Sequence, residues 1–315
     1  MQNTLIIMKK VFYALALLFL TVAFMGCQKA STPKIVSTRE KTDGYCGTIV
    51  EATFDNNKQL YFRLLPDNTA AVTNAYCFSP EAEYNWNCYG DMVIPSEFSH
   101  NSQLYTVVGV DGEAFATCNK LESIVIPNSV TSIGEAAFLC CKSLKTINIP
   151  EEIRLIECRT FEGCEVMETV QLPKNVEIVR GSAFKDCIHL TLIDLGKVRS
   201  IGPYAFSGCK NLAAINMPPV IDVSEGAFQN CISLQSIDLP ASIEHLYRGA
   251  FSGCLSLTTV TCRPLSPPIT NYFGEPAGDP FPGCPIQEIK VPMESVSNYQ
   301  HTLGWEKYYD KFVGF

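Results

Sequence analysis

The sequence predicts a solenoid, a stack of short coils that each give one strand to a parallel ladder. Three observations lead there. Phenylalanine recurs at Phe115, Phe138, Phe161, Phe184, Phe206, Phe228 and Phe251, at intervals of 22 or 23 residues, and returns at Phe281 after an interval of 30. A cysteine stands three residues after each: Cys118, Cys141, Cys164, Cys187, Cys209, Cys231, Cys254 and Cys284. A Leu-x-x-Ile-x-Ile run follows, as in Leu121 to Ile126 and Leu144 to Ile149. A fixed period in this range means one supersecondary unit per repeat.

Each column of the repeat has a physical reading. In the run from Leu121 to Ile126 the apolar residues Ile124 and Ile126 alternate with Ser123 and Val125. Period two is the mark of a strand with one buried face. Pro127, Pro150, Pro173 and Pro240 then end the strand, because proline has no N–H for the ladder. Before Phe stands alanine in most copies (Ala114, Ala137, Ala183, Ala205, Ala227, Ala250), with Thr160 the exception. Positions five and eight before Phe are aliphatic, as Ile133 and Val130 are before Phe138. The compact Ala-Phe-x-x-Cys segment predicts one or two helical turns on the side opposite the strand. One coil cannot bury its apolar side alone. Stacked roughly 4.8 Å apart, coils share a continuous core of Phe, Leu and Ile columns.

The ends differ from the middle. Residues 42–106 lack Phe-x-x-Cys and read as strands, such as Leu60 to Leu65 before the turn at Pro66-Asp67-Asn68. They predict an N-terminal β cap, since an open solenoid edge would pair with other chains. Residues 107–292 are the predicted solenoid. Residues 293–315 are helix-like and aromatic (Tyr299, Trp305, Tyr308, Phe312) and predict a C-terminal cap.

The start of the chain predicts its compartment. Lys9 and Lys10 precede an apolar run from Val11 to Phe24, which is short for a membrane span and suits a secretory leader. It ends in Phe24-Met25-Gly26-Cys27, which resembles a bacterial lipoprotein signal with Phe24 in place of the usual leucine. The expectation is a signal peptide over 1–26, lipid on Cys27, and a tether over 27–41 that is rich in Ser, Thr and Lys. That places the protein at the bacterial outer membrane or cell surface, held in the membrane through Cys27. The residues after Cys27 (Gln28-Lys29-Ala30-Ser31) carry no acidic run of the kind resembling surface-export signals, which keeps a periplasmic scaffold as the alternative.

The repeat from Ile133 to Pro150, Ile-Gly-x-x-Ala-Phe-x-x-Cys-x-x-Leu-x-x-Ile-x-Ile-Pro, resembles the BspA-like leucine-rich-repeat family of bacterial surface proteins. The resemblance runs from about Gly44 to the C-terminus and includes Val291-Pro292, Tyr299, Gly304-Trp305 and Tyr308. It implies a right-handed superhelix of parallel strands. It also implies adhesion to matrix proteins or other cells, since members of the family are implicated in such binding.

Several function classes lose support. The formal charge of -8 disfavours nucleic acid, which needs a basic face. His100, His189, His245 and His301 share no repeat position, and no Gly-x-Ser-x-Gly, His-Glu-x-x-His or phosphate-binding loop occurs. No enzyme, catalytic residue or cofactor is expected. The cysteine column fits small buried thiols better than disulfides or a metal, because no Cys-x-x-Cys or Cys-His pairing recurs. A Cys77–Cys88 bridge remains open for the N-terminal cap, given export.

A binding surface is expected on the outward side of the strands. Its candidate residues are Ser123, Val125, Thr146, Asn148, Thr169, Gln171, Asp194, Asn216, Asp238 and Thr261. Solenoids use such faces for extended protein or glycan partners. Two other surfaces compete. One is the proline-rich insertion from Pro264 to Pro282. The other comprises the aromatic clusters around Trp86 and Trp305, which could stack on sugars or simply pack the ends.

Overall fold

The computed structural model describes residues 33–43, 47–74, 88–217, 219–271, 276 and 278–315. The chain divides into two units, Met1–Lys34 and Ile35–Phe315. Cys27 and the predicted leader lie outside the described residues, as do Cys46, Cys77 and Trp86. Among the described residues no helix is long and apolar enough to cross a membrane.

The second unit begins with an antiparallel meander. Strands β1 (Ile35–Asp43), β2 (Gly47–Phe54), β3 (Gln59–Leu65) and β4 (Thr69–Thr73) pair in sequence order. Alternation sets their burial: Val50, Ala52 and Phe54 face inward from β2, and Leu60 and Phe62 from β3. The tether expected over 27–41 is therefore too long at its C-terminal end. Residues from Ile35 onward are a strand, because β2 offers an edge that takes up their backbone groups through Ile35↔Phe54 to Asp43↔Gly47. After β5 (Tyr89–Val93) and β6 (Glu97–His100), β7 (Gln103–Val110) joins the meander to the repeats. It pairs parallel with β4 on one edge and parallel with Ser132–Ile133 on the other, while its start pairs antiparallel with β6.

From β7 onward the chain winds through eight coils, numbered 1 to 8 by their phenylalanines from Phe115 to Phe281. Each coil carries a front strand, formed by the Leu-x-x-Ile-x-Ile run. Front strands pair in parallel register, as in Ser123↔Thr146 and Leu192↔Ala214. A second parallel ladder lies at the back. The aliphatic position five before Phe and the residue preceding it form short strands, such as Leu155–Ile156, Ile178–Val179, Ser200–Ile201, Asp222–Val223 and His245–Leu246. The sequence shows the aliphatic column but not that it belongs to a sheet, because two residues are too few to show a period.

The helical turns expected around Ala-Phe-x-x-Cys do not form. The segment is a chain of tight turns with two left-handed residues per coil, for example Ala136 (φ 54°) and Cys140 (φ 56°), or Ser182 (φ 56°) and Asp186 (φ 58°). Left-handed residues stop an α-helix. The N–H groups instead donate to the next coil: Ala136 to Cys158 O at 2.9 Å, Phe138 to Thr160 O at 2.9 Å and Cys140 to Glu162 O at 2.7 Å. This third ladder is the turn edge.

The shorter of the two repeat spacings comes from the turn between front and back strands. After coil 2 Ile153 N–H closes on Pro150 O at 3.1 Å, whereas after coil 4 Val198 N–H closes on Leu195 O at 2.7 Å. Gly196 sits in that shorter turn at φ 51° and donates to Asp194 Oδ1 at 3.0 Å. A side chain there would be strained.

The C-terminal residues are less helical than expected. A 3-10 turn (Met293–Ser295), one short helix α1 (Val296–His301) and a second 3-10 segment (Glu306–Lys311) lead to a last strand, Phe312–Gly314, which extends the front ladder beside Glu288–Val291.

Candidate functional site

The buried turn edge sets the frame that any surface site must stand on. Phe115, Phe138, Phe161, Phe184, Phe206, Phe228, Phe251 and Phe281 stack in one file, with ring centroids 5.1 to 5.6 Å apart. Beside them runs a thiol ladder. Cys141 donates to Phe115 O at 3.0 Å, Cys164 to Phe138 O at 3.3 Å, Cys187 to Phe161 O at 3.2 Å and Cys209 to Phe184 O at 3.1 Å. Cys231, Cys254 and Cys284 continue it at 3.3, 3.1 and 2.9 Å. The column is therefore more than a small apolar filler: from Cys141 onward each thiol joins its coil to the preceding Phe carbonyl. Every described cysteine is free, Cys88 included. Burial pushes the Cys164, Cys187 and Cys209 thiols up, and holds Cys262 at about 12. Buried neutral thiols of this kind are poor nucleophiles.

The front face carries the residues predicted for binding, and the structure sorts them. Ser123 is buried and donates to Asp91 Oδ1 at 2.5 Å, so it does not project outward as expected. The cause is β5, which lies alongside coil 1 and pairs Asp91 with Ser123. Asn148 turns its amide onto the main chain of coil 1, donating to Ile126 O at 2.6 Å and accepting from Ile126 N–H at 2.7 Å. Asp194 accepts from Asn216 Nδ2 at 2.9 Å. Asp238 accepts two hydrogen bonds from Arg263, both at 2.7 Å. Val125 is half-buried. Thr146, Thr169, Gln171 and Thr261 stay half-buried or exposed, with no side-chain hydrogen bond among the described residues. Sequence periodicity places these side chains on one face. It does not show that Ser123, Asn148, Asp194, Asn216 and Asp238 spend bonding capacity on their own molecule, since the partners are on β5 for Ser123 and one coil away for the rest.

The competing surfaces are mostly structural. Trp305 is fully buried and donates from Nε1 to Pro268 O at 3.0 Å. Tyr299 donates to Pro264 O at 3.0 Å and Tyr308 to Asp279 Oδ1 at 2.7 Å. The described part of the insertion thus receives the C-terminal aromatics. Tyr89 is exposed, with the Lys58 ammonium 5.3 Å from its ring centre. At the back of the molecule an open groove of about 390 Å³ lies between residues 131–133 of coil 2 and residues 152–155 and 157 of coil 3. Among the described residues no cluster of three or more His, Cys, Asp or Glu side chains could hold a metal ion.

The sequence matches the family described as BspA type leucine rich repeat region, in six copies, over residues 97–197 and 183–302. Two solved structures share the fold. One is a leucine rich cell surface protein from Faecalibacterium prausnitzii, 23% identical, with a TM-score of 0.56 over 82% of this chain and 72% of the other. The other is a leucine-rich repeat protein from Bacteroides ovatus, 22% identical, with a TM-score of 0.52 over 83% of this chain and 71% of the other. No curated protein matches the sequence significantly.

Proposed function

Because the chain belongs to the BspA-type leucine-rich-repeat family, we propose that it is a non-enzymatic envelope protein that binds a protein or glycan partner along its front face. The observation that carries this is the row of Thr146, Thr169, Gln171 and Thr261. Their hydroxyl and amide groups are unengaged and reachable, on the front strands of coils 2, 3 and 7. Beside them Asp194 and Asp238 are already oriented by Asn216 and Arg263, so a partner meets fixed acceptors. Fixed polar groups lower the ordering cost of binding.

The test is capture of the intact protein on immobilised extracellular-matrix proteins and a glycan array. Thr146→Lys combined with Gln171→Lys should abolish capture, while Glu177→Lys on the back face should leave it unchanged. Equal loss from both would remove the front face as the site. The leader ending at Cys27 supports anchoring by lipid at the envelope. Protease digestion on intact cells should remove the protein; protection until lysis would place it in the periplasm and favour the scaffold. Metabolic labelling with an alkyne fatty acid should tag the wild type and fail on Cys27→Ser.

A further inference from the structure

Neighbouring coils are joined by up to three ladders, and the joints are unequal. Coils 1 and 2 pair at the back through Gly109↔Ser132 and at the front through Ser123↔Thr146. Coils 3 and 4 pair through Leu155↔Ile178 and the bridge Thr169↔Leu192. Among the described residues coils 5 and 6 show no front pairing but keep Ser200↔Asp222 at the back. Coils 7 and 8 keep His245↔Ile269 and Thr259↔Glu288. Only between coils 2 and 3 are both ladders interrupted among the described residues.

Two further observations fall on that joint. Elsewhere the residue entering a back strand donates to the coil before it, as Thr131 does to Val108 O and Glu177 to Arg154 O, both at 2.9 Å. Arg154 and Glu157 make no corresponding bond to coil 2 among the described residues, and the 390 Å³ groove opens between these edges. The core is also less sealed here. Ile133, Ile149 and Val170 keep 6, 9 and 6% exposure, whereas Val179, Ile193 and Leu246 keep 0%. What remains is the turn edge: the bonds from Ala136, Phe138 and Cys140, the Cys164 thiol, the Phe138–Phe161 stack at 5.6 Å, and a surface Lys142–Glu165 ion pair at 2.9 Å.

We propose that the joint between coils 2 and 3 is a hinge that splits the array into two bodies, pivoting on the turn edge. One side of the joint is held and the other is not, so rotation opens the front and back together at little cost. Hinges are a few positions that absorb the displacement between packed bodies. Thr146 stands on one body and Thr169 and Gln171 on the other. Hinge motion therefore sets the spacing between two rows of the front face, and a partner that contacts both rows would close it. The hinge itself stands whether or not that face binds anything.

The experiment is a spin-label distance measurement on the intact protein, with labels on genetically encoded non-cysteine residues at exposed positions of one repeat column. Glu122 and Thr191 span three joints including the hinge; Glu168 and Gln235 span three joints without it. The expected result is a Glu122–Thr191 distribution about twice as wide or more, against a narrow one for Glu168–Gln235. Hydrogen exchange should show Arg154 and Glu157 amides exchanging about 100-fold faster than Glu177 and Arg180. Equal widths for the two pairs, or equal protection at the two joints, would overturn the hinge.

Discussion

The turn edge and the front face belong to the same coils and are built to opposite rules. Along the turn edge the coils repeat one ring stack and, from coil 2 onward, one thiol-to-carbonyl bond, with the Phe side chains almost wholly excluded from water. Along the front face adjacent coils carry different groups: an amide bound to main chain at Asn148, an unengaged amide at Gln171, a carboxylate at Asp194. A site buried between identical neighbours has one shape to fill. A site facing water has only to stay polar, so it is free to vary and to acquire a partner.

The largest test of this contrast is alkaline pH. The folded state holds the buried thiols neutral: burial raises Cys164, Cys187 and Cys209 above the unfolded value of 9.0 and Cys262 to about 12. Raised groups of this kind stabilise the fold below the unfolded pKa, and that contribution is lost as pH rises through the folded pKa. Thermal melts should be flat up to about pH 9 and fall steeply above it, with the array unfolded as pH nears the folded values. An unchanged melting temperature at high pH would mean that the thiols are not buried as a column.

A single ring tests the same edge. Phe184→Ala removes two stacks, to Phe161 and Phe206, each at 5.2 Å. It should cost about 3–5 kcal/mol in urea unfolding. A loss below about 1 kcal/mol would show that the file tolerates a gap.

Asn148→Ala lies between the two rules, since this front-face residue bonds to the main chain of Ile126. It should cost about 1–3 kcal/mol, because the Ile126 N–H and carbonyl lose their partners in a half-buried place. Gln171→Ala, one coil on with no such bonds, should change stability by about 0.5 kcal/mol or less. If the two variants behave alike, the front face is uniform and the sorting of its residues fails. The smallest effect is expected for Thr146→Lys with Gln171→Lys, whose unfolding midpoint should match the wild type while capture of a partner is lost.

Much of this is legible in the chain because buried columns repeat. Phe, Cys and the Leu-x-x-Ile-x-Ile run specify the coil, its period and the direction of the core. The front-face residues are legible for the same reason, as the gaps between buried columns. The back ladder is not, because strands such as Ser200–Ile201 are two residues long. The turn edge reads as helix because left-handed φ at Ala136, Cys140, Arg159 and Ser182 falls on residues that do not announce it. The burial of Ser123 is hidden because it depends on β5, a separate strand outside the repeats.

The repeating unit can be read from the chain alone, since periodic burial is written as periodic composition and every coil must bury the same side. Tertiary structure alone decided which groups at the surface are spent and which are free, and where the ladders break. Those outcomes turn on fractions of an ångström between coils that share nearly the same residues. A hydrogen bond made or missed at that scale leaves no mark in the spacing of side chains along the chain.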